Sequence, residues 1–173
     1  MKELMHLKTS ISLIILTAVL GLLQASAQQA PAATTSDTTC TFQDGTQITI
    51  RYPQVQYSSR NEPREGKAWV PDNQPTYLFS QTTLKLSGVI VPPGAYSVFM
   101  VPSKDHWTIA LNKDVKSTQY DAAQDIAKIQ ADVAPLPDSS KSLTLYFGHV
   151  SPKTCTLRVD YGKQRAFADF TEQ

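Results

Sequence analysis

The segment from Val91 to Asp114, "VPPGAYSVFMVPSKDHWTIALNKD", predicts a β-hairpin. Apolar residues recur at every second position on each side of the polar run 103–106. Side chains of a strand point to opposite faces in turn, so this alternation indicates two paired strands. The first strand has apolar residues on both faces, which predicts a place near the centre of a sheet. Pro92-Pro93-Gly94 predicts a type II turn in which Gly94 has a positive φ.

The tip of this hairpin, residues 103–106, has the sequence "SKDH", and these residue types also occur in catalytic sites. Contiguous residues at a tip do not converge on one point, whereas a catalytic triad brings together separate segments. We therefore interpret the tip as a turn. We interpret Trp107, which follows it, as a core residue rather than a platform for a ligand.

Short segments typical of strands lie on both sides of the hairpin, with turn signals between them. Gly162-Lys163 predicts a tight turn between the last two. Residues 126–133 fit both helical and strand spacing. The pattern predicts an all-β fold, an antiparallel β-sandwich or flattened barrel of about eight short strands, with at most one short helical turn near 118–124. The other predicted strands are 47–52, 76–80, 82–88, 142–147, 154–161 and 164–170.

Residues 1–27 have the pattern of a secretory signal peptide, with a short apolar run followed by the small residues of Ala25–Ala27. The apolar run is short for a span of a bilayer, although an N-terminal membrane anchor is the alternative. Residues 28–39 are small and polar and predict a flexible leader. Residues 40–173 then form a single β-sandwich domain. We expect an exported protein, periplasmic or extracellular, with no membrane span after signal removal.

The charge of the chain is balanced. It has 16 basic and 15 acidic residues, and signal removal takes two basic and one acidic, leaving 14 of each. This balance gives no electrostatic reason to expect nucleic acid or an anionic membrane as a partner. The predicted fold class and the export signal instead favour an unknown small molecule, a glycan or an envelope protein as the partner.

Cys40 and Cys155 are the only cysteines. In an oxidising compartment two cysteines most simply form one disulfide, which here ties the start of the domain to a strand near its end. The alternative is a metal site in which the cysteines join His106 or His149. The chain lacks a C-x-x-C pair and closely spaced histidines, so we expect no metal.

Familiar catalytic patterns are absent from the sequence, among them G-x-S-x-G, H-E-x-x-H, the P-loop and G-x-G-x-x-G. We therefore expect no cofactor, name no catalytic residue, and lean against an enzyme. A non-catalytic binding module is the first hypothesis. A structural or assembly module that acts through protein contacts, and an envelope hydrolase with an unfamiliar site, are the alternatives.

Three stretches resemble one bacterial family: "LSGVIVPPGAYSVFMVPSKDHWTIALNKD", the upstream "GKAW" and the closing "LYFGHVSPKTCTLRVDYGKQRAFADF". The family is called domain of unknown function 2911, and the resemblance covers roughly residues 46–170. It implies an exported all-β domain in which 126–133 is a strand with Asp125 at its start. It implies no established activity.

The family's polar run after its tryptophan reads W-R-x-G-A-N, whereas this chain has "WVPDNQP" from Trp69. Trp69 matches, Val70 stands at the arginine position and Asn73 is a near match. A site formed by this run in relatives would be lost or altered here. Asn112 and Lys113 match the family, although Asn112 can instead cap a turn. The candidate ligand-binding residues are Trp69, Asn73, Tyr77, Asn112 and Lys113.

Overall fold

The computed structural model describes residues 34–173, which form nine strands of one antiparallel sheet. The order across the sheet is β1-β2-β3-β6-β7-β8-β9-β4-β5, so β1 and β5 are its edges. The predicted all-β antiparallel fold is confirmed. The predicted signal peptide and residues 28–33 of the leader lie outside the described residues. The strands are β1 (Thr35–Thr41), β2 (Gln47–Pro53), β3 (Tyr77–Ser80), β4 (Leu84–Leu86), β5 (Val89–Val91), β6 (Gly94–Pro102), β7 (His106–Asn112), β8 (Asp125–Ser151) and β9 (Thr154–Glu172).

The predicted central hairpin is β6 and β7, which pair from Ser97 with Asn112 to Pro102 with Trp107. The prediction for Gly94 is wrong, because Gly94 begins β6 and is not among the residues with positive φ. A Cβ at Gly94 would lie 3.1 Å from the hydroxyl of Tyr96, so glycine leaves room for that side chain.

Each of the two long strands bends. In β9 the side chains of Thr154 and Thr171 meet at 3.3 Å, although an extended strand would place them more than about 50 Å apart. The chain therefore reverses at the predicted turn, where Gly162 has φ 58. We call residues 154–161 the first arm of β9 and residues 164–172 its second arm.

β8 changes partners along its length. Its first part, up to Pro135, pairs with β7 and with the second arm of β9, and the part from Thr144 pairs with the first arm. The register shifts between these two parts. Its start at Asp125 confirms the strand that the family resemblance implied for 126–133, where periodicity left a helix open.

The core lies between the β1 side of the sheet and strands β8 and β9. The predicted disulfide is present and joins Cys40 of β1 to Cys155 of β9. After β2, the backbone carbonyl of Val55 accepts a hydrogen bond of 2.8 Å from the amide of Leu143 in β8. These links bring the β1 side of the sheet against β8 and β9 and enclose the apolar faces. The largest fully buried side chains include Trp107, Phe170, Ile48, Ile50, Leu78 and Leu84.

β1 starts earlier than the sequence indicated. Residues 35–39, which the sequence predicts to be part of the flexible leader, pair with β2 from Thr35 opposite Pro53 onward. The strand has few apolar residues, so alternation does not reveal it. Backbone pairing and the ion pair between Arg51 and Asp37, with hydrogen bonds of 2.9 and 2.8 Å, hold it in the sheet.

Short 3-10 turns are the helical elements among residues 34–173. Ala122–Gln124 lies in the predicted region, and Ser59–Asn61 and Pro71–Asn73 are two further turns. In the described part of the chain, the structure contains no helix with the length and apolarity needed to cross a membrane.

Candidate functional site

A cleft of about 740 Å³ lies over β8, β9 and β4. Its wall is mostly polar and combines both signs of charge with hydroxyl and amide groups. The wall includes the side chains of Lys85, Gln130, Asp132, Thr156, Arg158, Arg165, Phe167, Asp169 and Thr171.

Strand periodicity explains why these side chains share one surface. In each arm of β9, residues alternate between the buried core and the outer face. Apolar side chains such as Leu157 and Phe170 point inward and are buried. The positions between them face outward, and they are Thr156, Arg158 and Asp160 in the first arm and Arg165, Phe167, Asp169 and Thr171 in the second.

Strand register arranges the outward residues in rows. Tyr146 is opposite Arg158, and Asp132 is opposite Phe167. Within β9, contacts between Thr156 and Asp169 and between Asp160 and Arg165 fix the register of the two arms. That register places Arg158 opposite Phe167. Cross-strand partners share a face, so Arg158, Phe167 and Asp132 form a row across the cleft. Tyr146 continues this row beside the cleft.

An ion pair forms one end of the cleft. Arg165 donates two hydrogen bonds of 2.6 Å to the two carboxylate oxygens of Asp160. This contact raises the pKa of Arg165 above its usual value. A two-pronged pair between a planar guanidinium and a carboxylate fixes geometry as well as charge, so the position of Arg165 is set by the protein itself.

The middle of the cleft is also fixed by contacts. Thr156 donates a hydrogen bond of 2.5 Å to Asp169. The ring of Tyr146 has two guanidinium groups near its faces, those of Arg158 and Arg165, each 5.7 Å from the ring centroid. Contacts of this kind between a cation and an aromatic ring are attractive. The cleft wall is therefore organised by side chains that hold one another.

Two of the five predicted ligand residues lie together elsewhere. Trp69 and Asn73 line a second cleft of about 330 Å³, together with Arg60, Arg64 and Lys67. Trp69 itself is only 7% exposed. Its ring packs 4.8 Å from that of Tyr161 and its Nε1 donates to the carbonyl of Asn61 at 2.9 Å. Trp69 therefore contributes mainly to the core, and Asn73 is the accessible member of the two.

The other three predicted residues are not part of the wall of that second cleft. Asn112 is 2% exposed, and its side chain donates to the carbonyl of Asp121 at 2.8 Å and accepts from the amide of Asp114 at 2.9 Å. Its polar atoms hold the loop that follows β7. Tyr77 is half-buried and Lys113 is exposed. A ligand role for any of the five residues stays a prediction.

Tyr120 in this loop carries a prediction about alkaline stability. Burial and a 2.6 Å hydrogen bond to Asp125 raise the pKa of Tyr120 well above its usual range. Above a pH of about 10 the unfolded chain loses this proton while the folded chain keeps it, so stability falls as pH rises. Tyr120→Phe should make this fall shallower by up to about 1 kcal/mol per pH unit, a value reduced for partial exposure.

Urea unfolding at several pH values between about 9 and 11 measures this slope. Tyr77→Phe is the matched control, because Tyr77 is also half-buried but lies outside this contact. Equal slopes for wild type and Tyr120→Phe would contradict the prediction.

The two histidines of the described chain have different surroundings. His149 lies beside the disulfide, and within residues 34–173 it forms with Cys40 and Cys155 the one group of three metal-ligating residues close enough to share an ion. Both sulfur atoms are bonded to each other, so neither is a thiolate ligand in this state. His106 is opposite Asp132 across β7 and β8. No hydrogen bond joins these two side chains among the described contacts.

Sequence reasoning missed the large cleft. The signal was present as alternation of Thr, Arg and Asp with apolar residues in "TCTLRVDY" and "QRAFADF". These segments predict half-polar strands, but only the pairing of the two arms shows that their polar faces join.

Comparison with known proteins gives one match. The model of a family described as "Protein of unknown function (DUF2911)" matches residues 31–169. No curated protein and no solved structure matches the chain.

Proposed function

This chain belongs to the DUF2911 family of proteins of unknown function, and we propose that it is a non-catalytic module that binds a glycan in the cleft over β8, β9 and β4. The observation that carries the proposal is the cleft of about 740 Å³ with its polar wall. Ligand sites are commonly concave surfaces with a few well-placed polar groups.

The length of the cleft favours a chain-like ligand. Its wall follows the second arm of β9 from Arg165 to Thr171, which corresponds to about 20 Å of strand. Lys85, Gln130 and Asp132 add hydrogen-bond donors and acceptors that suit hydroxyl groups. The half-buried ring of Phe167 adds an apolar surface that suits the carbon face of a sugar ring. An open groove of this extent fits several linked sugars better than one compact small molecule.

The fixed geometry of the wall also supports binding. The ion pair of Arg165 with Asp160 and the bond from Thr156 to Asp169 hold side chains in place before a ligand arrives. The disulfide fixes Cys155, the buried neighbour of Thr156 in β9, to Cys40 of β1. A preorganised wall loses little conformational entropy on binding, which favours affinity.

The carboxylates in this region favour binding over hydrolysis. Glycoside hydrolysis needs two carboxyl groups that flank the scissile bond. Asp160 is held by Arg165, and Asp169 accepts a hydrogen bond from Thr156. Asp132 is the remaining acid of the cleft wall. The described cleft wall therefore lacks two carboxylates that are both free of other contacts.

The test is calorimetric titration of the mature chain with neutral and acidic oligosaccharides. The double variant Gln130→Ala, Asp132→Ala should weaken binding at least about tenfold, because each lost hydrogen bond is worth on the order of 1 kcal/mol. The matched control is Gln119→Ala, Asp138→Ala, two exposed residues outside the cleft wall. Absence of binding, or equal loss in both double variants, would reject the proposal.

A second candidate is an assembly module, and one observation favours it. The edge strand β5 exposes two apolar side chains, Val89 at 40% and Ile90 at 48%. Exposed strand edges can pair with another chain. Light scattering of the purified protein over a range of concentrations tests this candidate, and a monomer at all concentrations would count against self-assembly.

A further inference from the structure

Arg158 differs from the other arginine of the cleft. Arg165 is held by Asp160, whereas the guanidinium of Arg158 has no ion pair with any described residue. The guanidinium of Arg158 lies over the ring of Tyr146 and is attracted to it by a cation–π interaction. This contact uses the face of the ring, so it gives the N–H groups of Arg158 no oxygen acceptor. A guanidinium has five N–H donors in a planar fork. Arg158 is half-buried in the cleft wall, so these donors are available to a bound molecule.

The surroundings of Arg158 leave room for a group beside it. Gly148 occupies the next outward position of β8 after Tyr146, and a Cβ built there would lie 3.9 Å from Nη2 of Arg158. This is an ordinary van der Waals distance, so a methyl group would fit there, and with glycine no side chain covers this side of the fork. On the other side, Phe167 presents an apolar ring opposite Arg158.

Arg158 is one of two cations in the cleft wall, with Lys85, for which no ion pair is described. Among its lining residues, Lys85, Arg158 and Arg165 are cationic, and Asp132 and Asp169 are anionic. With Asp160, which pairs with Arg165 from outside this set, the wall has three cationic and three anionic side chains, so it carries no excess charge. Arg158 stands out because no ion pair is described for its half-buried guanidinium.

We propose that the glycan bound in the cleft is acidic and that Arg158 determines this specificity by binding its anionic substituent. The inference rests on the proposed function and names the class of ligand for the same site. A carboxylate or a sulfate ester on a sugar presents two or more oxygen atoms that match the guanidinium fork. Phe167, opposite Arg158, then packs against the ring that carries the substituent.

The experiment titrates the mature protein with three matched probes: a uronic acid oligosaccharide, its methyl ester and a sulfated oligosaccharide of similar length. We expect an acidic probe to bind about 10–100-fold more tightly than the neutral ester, the range for hydrogen bonds to a charged group. The acidic probe that binds more tightly identifies the anion as a carboxylate or a sulfate.

Variants locate the effect at Arg158. Arg158→Gln should lose about 10–100-fold in affinity for the acidic probe and keep its affinity for the methyl ester. Retained ester binding also shows that this variant is folded. Arg158→Lys should recover only part of the loss, because lysine keeps the charge without the planar fork. Lys104→Gln, which removes one positive charge at the tip of the β6–β7 hairpin, is the matched control and should bind as wild type does.

The outcomes distinguish the specificity for acidic glycans from the proposed function of glycan binding. Binding of none of the three probes would overturn both. Equal binding of acidic and neutral probes by wild type would overturn the specificity and leave the glycan module standing. Equal losses in Arg158→Gln and Lys104→Gln would show a general effect of net charge and would overturn the role of Arg158.

Discussion

Replacing Cys40 and Cys155 together by alanine should lower the free energy of unfolding by about 2–5 kcal/mol. The disulfide joins residues that are 115 positions apart. Cross-linking so long a loop restricts the unfolded chain, and the chain-entropy estimate of about 4–5 kcal/mol is an upper bound. Small domains are stable by only about 5–15 kcal/mol, so the loss removes a large fraction of the total.

Urea unfolding followed by circular dichroism measures this effect in the double variant and in the wild-type protein. Wild type treated with a phosphine reductant should approach the stability of the double variant, and the reductant should leave the double variant unchanged. A loss below about 1 kcal/mol would mean that the disulfide adds little to contacts that already hold β1 against β8 and β9.

Trp107→Ala should lower the free energy of unfolding by about 3–5 kcal/mol. Trp107 is 2% exposed, and its ring lies 5.9 Å from that of Trp69. Removing the indole leaves a cavity that the surrounding strands cannot fill, because Trp107 is in the central pair of strands, β6 and β7.

Trp107→Phe is the matched control, since it keeps an aromatic ring at the same position and should lose clearly less stability. Both variants are compared with wild type by urea unfolding with far-ultraviolet circular dichroism as the signal, because Trp107 itself contributes to fluorescence. Equal losses in the two variants would contradict the cavity explanation.

Local alternation predicted most of the sheet. The β6–β7 hairpin, β2 and the turn at Gly162 follow from residues that are neighbours in sequence. β1 was missed because its stability comes from pairing with β2 and from the Arg51–Asp37 contact rather than from its own apolar residues. At Gly94 the predicted turn is wrong, because the glycine is explained by the close approach of the Tyr96 side chain and not by a positive φ.

The large cleft was out of reach for a different reason. Arg158 and Asp132 are brought to one row by two strand pairings, and neither pairing is visible in a single segment. A family pattern pointed to Asn112 as a ligand-binding residue. Its side chain instead forms hydrogen bonds with the backbone of the loop that follows β7. Matching finds residues that recur, whereas a binding surface depends on which strands become neighbours.

The pairing of β4 with β9 has a consequence for how the chain folds. Lys85 and Thr171 are partners, although most of the sheet lies between them in sequence. Closing such a long loop is entropically unfavourable, and domains rich in distant pairings fold in about milliseconds to seconds rather than microseconds. The β6–β7 hairpin can form as soon as it is synthesised, whereas the β4–β5 hairpin can join the sheet only after β9 has been synthesised. Until then the two exposed apolar side chains of β5 belong to a hairpin without a neighbour, and this interval is when the chain is most prone to aggregate.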